Sequence, residues 1–73
     1  MDPNAALEIL DQALRDWDSA YDRDDKEGKA DAHQRHTSAQ RDLAAWLDRR
    51  GFQPNWLAYP KAAGWFLTWW AKR

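Results

Sequence analysis

The chain is predicted to be an all-α protein in which an antiparallel helical hairpin is followed by a short, tryptophan-rich third helix. Three observations predict this fold class. Valine is absent and Ile9 is the sole isoleucine among 73 residues, whereas alanine, leucine, arginine and aspartate are abundant. β-branched residues are the ones that favour strands. Apolar side chains recur at helical spacing, and two such stretches can face each other with large residues opposite small ones.

The first helix is predicted to span residues 3–22. Asp2 and Pro3 make a strong start, because aspartate caps free backbone N–H groups and proline fits the first helical position. The apolar residues that follow repeat at alternating intervals of three and four, which places them on one stripe. They are Leu7, Leu10, Leu14, Trp17 and Tyr21.

A charged segment, residues 23–30, is predicted to be the turn of the hairpin. It contains a glycine and two spacings typical of a capping box, in which an aspartate at the helix start faces a Glu or Gln three residues later. The sequence leaves both possible starts of the next helix open: Asp24 with Glu27, or Asp31 with Gln34.

The second helix is predicted over residues 31–50. Gly51 suits the left-handed position that often follows a helix end, and Phe52 can then fold back onto Leu47. Set antiparallel to the first helix, the second pairs large residues with small ones near the turn, as close packing requires. The predicted pairs are Tyr21 with Ala32, Trp17 with His36, Leu14 with Ala39, Leu10 with Leu43, and Leu7 with Trp46.

After a linker over residues 51–59, a third helix is predicted over residues 60–71, with Pro60 at its first position. Its apolar residues fill an arc wider than one flank of a hairpin can cover. The run from Trp65 to Trp70 also suits a strand, but no second strand is available to pair with it. The helix is expected to pack across the open end of the hairpin near Leu7, Leu10 and Leu47, seated by Phe52 and Trp56.

The segment of residues 43–56 reads LAAWLDRRGFQPNW. It resembles the end of a group of short, largely uncharacterised proteins of actinobacteria and their phages. Those proteins also open with an Asp-Pro helix start and end in a pattern like Leu-x-x-Trp-Leu-x-x-Gly-Gly-Phe-x-Pro, with a tryptophan shortly after. Arg50 stands where that pattern has its first glycine, and Trp56 falls slightly early. The resemblance implies an actinobacterial or phage origin and no particular activity, and the tail from Leu57 onward goes beyond it.

Length and composition predict one small domain, residues 1–73. A core of this size supplies roughly 3–5 kcal/mol, and the chain has no cysteine for a disulfide, so helix packing or self-association must stabilise it. No signal peptide or membrane-length apolar run is found, which predicts a cytoplasmic protein. Residues 1–27 carry nine acidic and three basic side chains, and residues 28–73 carry three acidic and eight basic ones. This asymmetry favours pairing of the first two helices, or offers an acidic surface to a basic partner.

Catalysis and metal binding have little support in the sequence. His33 and His36 are close enough to share a metal, but zinc needs three or four ligands and only Asp31 is near in sequence. Ser19 and Ser38 have no evident histidine–acid arrangement, and no glycine-rich phosphate loop exists. The protein is therefore predicted not to be an enzyme and to use no metal, cofactor or small-molecule substrate.

The predicted function is protein–protein interaction through the third helix, either by self-association as a homodimer or by capture of a host protein. Tryptophan and arginine dominate binding hot spots, and the tail is rich in tryptophan. The predicted contact residues are Trp65, Phe66, Trp69 and Trp70, with Arg49, Arg50 and Lys72 at the rim.

Two alternative functions use the same tail. One is a nucleic-acid-binding accessory or regulatory protein, because aromatic rings among basic residues can stack on bases, although the slightly acidic chain argues against it. A helix that mixes tryptophan with lysine and arginine also suits a membrane surface, which is the lesser alternative. The basic patch in the nucleic-acid alternative comprises Arg49, Arg50, Lys61, Lys72 and Arg73.

Overall fold

The computed structural model describes residues 2–72. Helix α1 spans Pro3–Asp22, α2 spans Lys26–Asp48 and α3 spans Pro60–Ala71, with a short 3-10 turn at Trp56–Ala58. α1 and α2 form an antiparallel hairpin, and α3 packs against α1. No strand occurs within residues 2–72. The predicted fold class, an all-α hairpin with a short third helix, is confirmed. Arg73, which belongs to the predicted basic patch, lies outside the described residues.

The first helix begins as predicted. The Asp2 carboxylate accepts a hydrogen bond from the backbone N–H of Asn4 at 2.9 Å, and Pro3 occupies the first turn with its ring buried. The Asn4 side chain extends this corner, since its Oδ1 accepts a hydrogen bond from the N–H of Asn55 at 2.7 Å. The start of α1 is thereby tied to the linker that leads into α3.

A three-residue connection closes the hairpin. Asp24 has a φ of 52°, in the left-handed region, and the next N–H, that of Asp25, donates to the Ala20 carbonyl at 2.8 Å. The Asp25 carboxylate then caps α2 by accepting from the Gly28 N–H at 3.0 Å. Asp25 therefore closes the end of α1 and begins α2.

The predicted start of the second helix is wrong. α2 begins at Lys26 rather than near residue 31, and its cap is Asp25 rather than Asp24 or Asp31. The reason is the left-handed end of α1, which brings Asp25 directly over the first turn of α2. Gly28 permits this approach, because a Cβ there would press against the Asp25 carboxylate.

One charged cluster joins the two long helices. The Arg35 guanidinium lies 2.8 Å from the Asp16 carboxylate on α1 and 2.9 Å from Asp31 on its own helix. The hydrogen bond from Arg35, together with one from Gln12, holds the pKa of Asp16 below its usual value, and the same contact raises the pKa of Arg35. Because the pair is partly exposed to solvent, it fixes the register of the hairpin more than it stabilises the fold.

The end of α2 carries a left-handed residue, but not the predicted one. Arg50 has a φ of 62°, and no glycine has a positive φ in the described part of the chain. The N–H groups of Arg50 and Gly51 donate to the carbonyls of Leu47 and Trp46, both at 3.0 Å. Gly51 is needed for a steric reason instead, because a Cβ on it would overlap the indole of Trp46. Arg50 therefore occupies the position that favours glycine.

Replacing Arg50 with glycine should stabilise the protein. A non-glycine residue in the left-handed region costs about 1–2 kcal/mol, and glycine removes this cost. Part of the stability gained is lost again, because glycine is more flexible in the unfolded chain. A net gain of about 0.5–1 kcal/mol would raise the melting temperature by roughly 2–8 °C, which thermal circular dichroism can measure. Arg49→Gly is the matched control and should destabilise, since Arg49 has a negative φ of −87°. Equal effects of the two substitutions would contradict this account of Arg50.

The core lies where α3 meets the open end of the hairpin. Phe66 is 1% exposed and packs with Leu7, Leu10 and Leu43, none of which is accessible to solvent. Small residues complete the cluster and let the helices approach closely. They are Ala6, Ala39, Ala44, Ala62 and Ala63. The predicted placement of α3 near Leu7, Leu10 and Leu47 agrees with this packing.

The two linker aromatics differ in their roles. Trp56 stacks on Phe66 with 5.8 Å between ring centroids, as expected of a residue that seats α3. Phe52 does not seat α3, because it is 62% exposed and its ring meets the edge of Trp46 at 5.3 Å. Trp46 donates its indole N–H to the Phe52 carbonyl at 2.8 Å. Phe52 therefore packs against Trp46 at the end of α2 rather than against α3.

Candidate functional site

An open groove with a volume of about 680 Å³ runs between all three helices. We call it the tryptophan groove, because Trp17 from α1 and Trp65 and Trp69 from α3 line it. Ala13 and Ala32 lie along its floor, where short side chains leave space between the two long helices. Its remaining lining residues are Leu14, Asp18, His33, His36, Thr37, Gln40, Arg41 and Lys61. The volume falls in the range of ~300–1,000 Å³ that is usual for ligand pockets.

The indoles of the groove remain accessible to solvent. Trp65 is 60% exposed and Trp17 is 37% exposed, whereas Trp69 is half-buried against Phe66. Each exposed ring leaves a large apolar area in water, and an indole that enters an interface contributes strongly to binding. The hairpin is too narrow to cover both flanks of α3, so the groove remains an unfilled apolar surface.

Two basic side chains, Arg41 and Lys61, and one acidic side chain, Asp18, line this apolar surface. Lys61 lies 3.2 Å from the carboxylate of Asp18, which is the single acidic residue that lines the groove. Arg41 has no salt-bridge partner within residues 2–72. The rim is therefore positive on a chain whose formal net charge is −1.

Two imidazoles form one wall of the groove. The ring of His33 lies 6.0 Å from that of Trp17, between ring centroids. The predicted partner of Trp17 was His36, one turn further along α2. Burial lowers the pKa of His36, and the nearby His33 lowers it further. At neutral pH His36 is therefore an uncharged, half-buried part of the groove.

The stability of the protein should fall as the pH drops from about 7.5 to about 5, and a His36→Gln variant should lose less. The unfolded chain takes up a proton at His36 near the ordinary pKa of about 6.5, before the folded chain does. The contribution of neutral His36 is thus complete above that pH and is lost below it. Melting temperatures at the two pH values test this. His33→Gln should keep most of the wild-type slope, because burial is the larger cause. Identical slopes for wild type and His36→Gln would contradict the expectation.

The outer face of α3 forms a second, shallower groove, which shares Lys61, Trp65 and Trp69 with the tryptophan groove. Gly64 and Lys72 lie on this face, and none of its lining residues is acidic. A Cβ on Gly64 would have no atom within 4 Å. Glycine inside a helix costs about 1 kcal/mol relative to alanine. The packing within the chain therefore gives no steric reason for a glycine at this position.

The structure places the seven predicted contact residues in different environments. Trp65 and Trp69 line the tryptophan groove, and Lys72 lies on the adjoining face of α3. Phe66 was wrongly predicted as a contact residue, because it is the buried centre of the core. Trp70 stacks on Phe66 at 6.3 Å and does not line the groove. Arg49 and Arg50 are exposed where α2 ends, and neither lines this groove.

Sequence reasoning missed the part of the groove that the hairpin contributes. The pattern predicts Trp17 and His36 as a pair between the two helices and gives Arg41 no role, whereas all three line the groove together with His33. The signal that could have indicated the groove is the pair of alanines Ala13 and Ala32. Short side chains beside a tryptophan predict close packing, but here they leave space that α3 does not fill.

The fold and the groove define a small three-helix protein with an open, basic-rimmed aromatic surface. Comparison with protein families, curated proteins and solved structures gives no match. The resemblance of residues 43–56 to short actinobacterial and phage proteins therefore stays a prediction. Within residues 2–72, no helix is both long enough and apolar enough to cross a membrane. Within residues 2–72, no group of three or more metal-binding side chains is placed to hold an ion.

Proposed function

We propose that this chain is a non-enzymatic protein-interaction protein whose binding surface is the tryptophan groove. One observation carries the proposal: two exposed indoles from different helices, Trp17 and Trp65, line one open groove and lie outside the core cluster. On the side of α3 that faces the hairpin, Phe66 fills the core together with Ala62 and Ala63. A monomer gains little from these exposed rings, whereas tryptophan is among the commonest anchors of protein interfaces.

The sequence left open whether α3 belongs to the core or forms the binding surface, and its two sides differ in this respect. The inner side, with Ala62, Ala63 and Phe66, belongs to the core. The side with Trp65 extends into solvent beside the groove. Under this proposal the same helix both completes the fold and presents the binding surface.

Site-specific photo-crosslinking tests the proposal. The photoreactive amino acid p-benzoyl-L-phenylalanine would be placed at Trp65, and for the control at Leu57, which is 88% exposed and lies outside the groove. After irradiation of the cells that make the protein, we expect a discrete covalent adduct from position 65 and none from position 57. Mass spectrometry then identifies the partner or shows a second copy of the chain. Adducts of equal yield at both positions, or none at position 65, would contradict the proposal.

Single-stranded nucleic acid is the second candidate, because Arg41 and Lys61 flank stackable rings. The groove offers few cations along a backbone path, and the net charge of −1 weakens electrostatic attraction to phosphate. A gel shift at low salt with single-stranded oligonucleotides separates the two candidates. A shifted band that Trp65→Ala abolishes would favour nucleic acid.

A further inference from the structure

We propose that the tryptophan groove receives an amphipathic helix of a partner protein whose apolar face is flanked by acidic residues. This inference rests on the proposed function and specifies the partner of the same site. It depends on three features: the helical backbone around the groove, the charge of its rim and the open backbone at Gly64 beside it.

The backbone around the groove favours a helix as the occupant. The lining residues lie within α1, α2 and α3, where main-chain groups bond inside their own helices. No strand edge exists within residues 2–72, so an extended peptide could not add to a sheet. Recognition must rely on side chains, and a row of apolar anchors on a helix is the usual way to fill a groove between helices.

The charge of the rim favours an acidic partner over a second copy. Arg41 in the groove and Lys72 on the adjoining face of α3 have no salt-bridge partner within residues 2–72, whereas Lys61 pairs with Asp18. A second copy related by a twofold axis would present the same basic side chains to this surface, and like charges at an interface oppose binding. Acidic residues on a partner helix would instead complement Arg41 and Lys72.

The open backbone at Gly64 supports close approach by such a helix. A Cβ at this position would touch nothing, and the glycine weakens α3 without serving the packing of the chain. Gly64 lines the second groove, which adjoins the tryptophan groove and shares Trp65 and Trp69 with it. A partner helix that extends from the tryptophan groove past Trp65 can thus contact the backbone of α3 without displacing side chains of the protein.

Two synthetic peptides test the inference against the full chain. Both are alanine-based helices with the same leucine stripe, and they differ only in carrying Glu or Lys beside that stripe. Binding is measured by fluorescence anisotropy of a label on each peptide. We expect the Glu peptide to bind at least ~10-fold more tightly at low salt, with the difference shrinking as salt screens the rim.

Substitutions in the protein test which of its residues cause the preference for the Glu peptide. Arg41→Glu should remove the preference for the Glu peptide, whereas Arg49→Glu makes the same charge change outside the groove and should preserve it. Trp65→Ala should weaken binding at least ~10-fold, and Leu57→Ala should leave it unchanged. Trp65 and Leu57 are both largely exposed, so neither change should unfold the chain.

Several outcomes would overturn the inference. One is equal or tighter binding of the Lys peptide, and another is an equal loss with Arg49→Glu, which would indicate net charge alone. A dimer in light scattering that Trp65→Ala dissociates would show that the occupant is a second copy. Absence of binding by either peptide at ~1 mM would also reject the acidic helix. The crosslinking result at Trp65 would still judge the proposed function separately.

Discussion

Replacing Phe66 with alanine should leave most of the chain unfolded at room temperature. Phe66 is 1% exposed, and three rings surround it: Trp56 and Trp69 at 5.8 Å and Trp70 at 6.3 Å between centroids. Truncation of a buried phenylalanine costs about 3–5 kcal/mol, because the transfer free energy is lost and a cavity remains. A domain of this size holds roughly that much stability in total. Urea titration followed by far-ultraviolet circular dichroism measures the loss.

Trp65→Ala is the matched control for this prediction. It removes a larger aromatic side chain from the preceding position of the same helix, but that side chain is 60% exposed. We expect a loss of about 1 kcal/mol or less, since surface substitutions away from buried contacts change stability little. If Phe66→Ala were no more harmful than Trp65→Ala, α3 would not complete the core, and the whole helix would have to be treated as a binding element.

The helices could be predicted from the sequence because their signals are local. The Asp2-Pro3 start and the three-four spacing of Leu7 and Leu10 depend only on neighbours along the chain. Pro60 fixed the start of α3 in the same way. These signals gave the correct bounds for α1 and α3, since nothing distant competes with them.

The contacts near the hairpin turn could not all be predicted, because they depend on where α1 ends. Several aspartates near the turn are competent caps, and only the left-handed backbone at Asp24 selects Asp25. With this short turn the ring of Trp17 lies against that of His33, one turn along α2 from the predicted partner His36, although both imidazoles line the groove beside Trp17. Farther from the turn, the predicted pair Leu10 and Leu43 lies within one buried cluster.

The groove could be predicted only in part for a related reason. Trp65 and Trp69 were found because they cluster in one segment. Trp17 and Arg41 come from different helices, and they converge with α3 only once the register and the docking of α3 are known. The apolar spacing also does not predict which rings are exposed. The apolar arc of α3 has its centre at Phe66, which is buried, whereas Trp65 lies on the edge of the arc and is exposed.

The pattern around residues 43–56 has a physical explanation that the sequence did not give. Trp46 folds over Gly51 and donates its indole N–H to the Phe52 carbonyl, so these three residues form one packing unit. Pro54 is buried after it, and Trp56 continues onto Phe66. The spacing of these residues therefore specifies how α2 ends and how the chain reaches α3.

Replacing Gly51 with alanine should destabilise the protein by about 1–3 kcal/mol, the second largest effect that we expect of a single substitution. The new Cβ would overlap the indole of Trp46, so the ring must move away. That movement breaks the 2.8 Å hydrogen bond to the Phe52 carbonyl and the edge contact with the Phe52 ring at 5.3 Å. Urea titration gives the loss of stability, and the indole N–H resonance of Trp46 reports the broken hydrogen bond.

Gly64→Ala is the matched control, because a Cβ at that position meets nothing within 4 Å. It should instead stabilise α3 by up to ~1 kcal/mol through helix propensity. A double-mutant cycle then assigns the cause of the loss at Gly51, since the two side chains are in direct contact. In a Trp46→Ala background no indole remains to be displaced, so Gly51→Ala should cost much less. An unchanged cost would mean that Gly51 is required for its backbone, and the packing unit built on Trp46 would have to be abandoned.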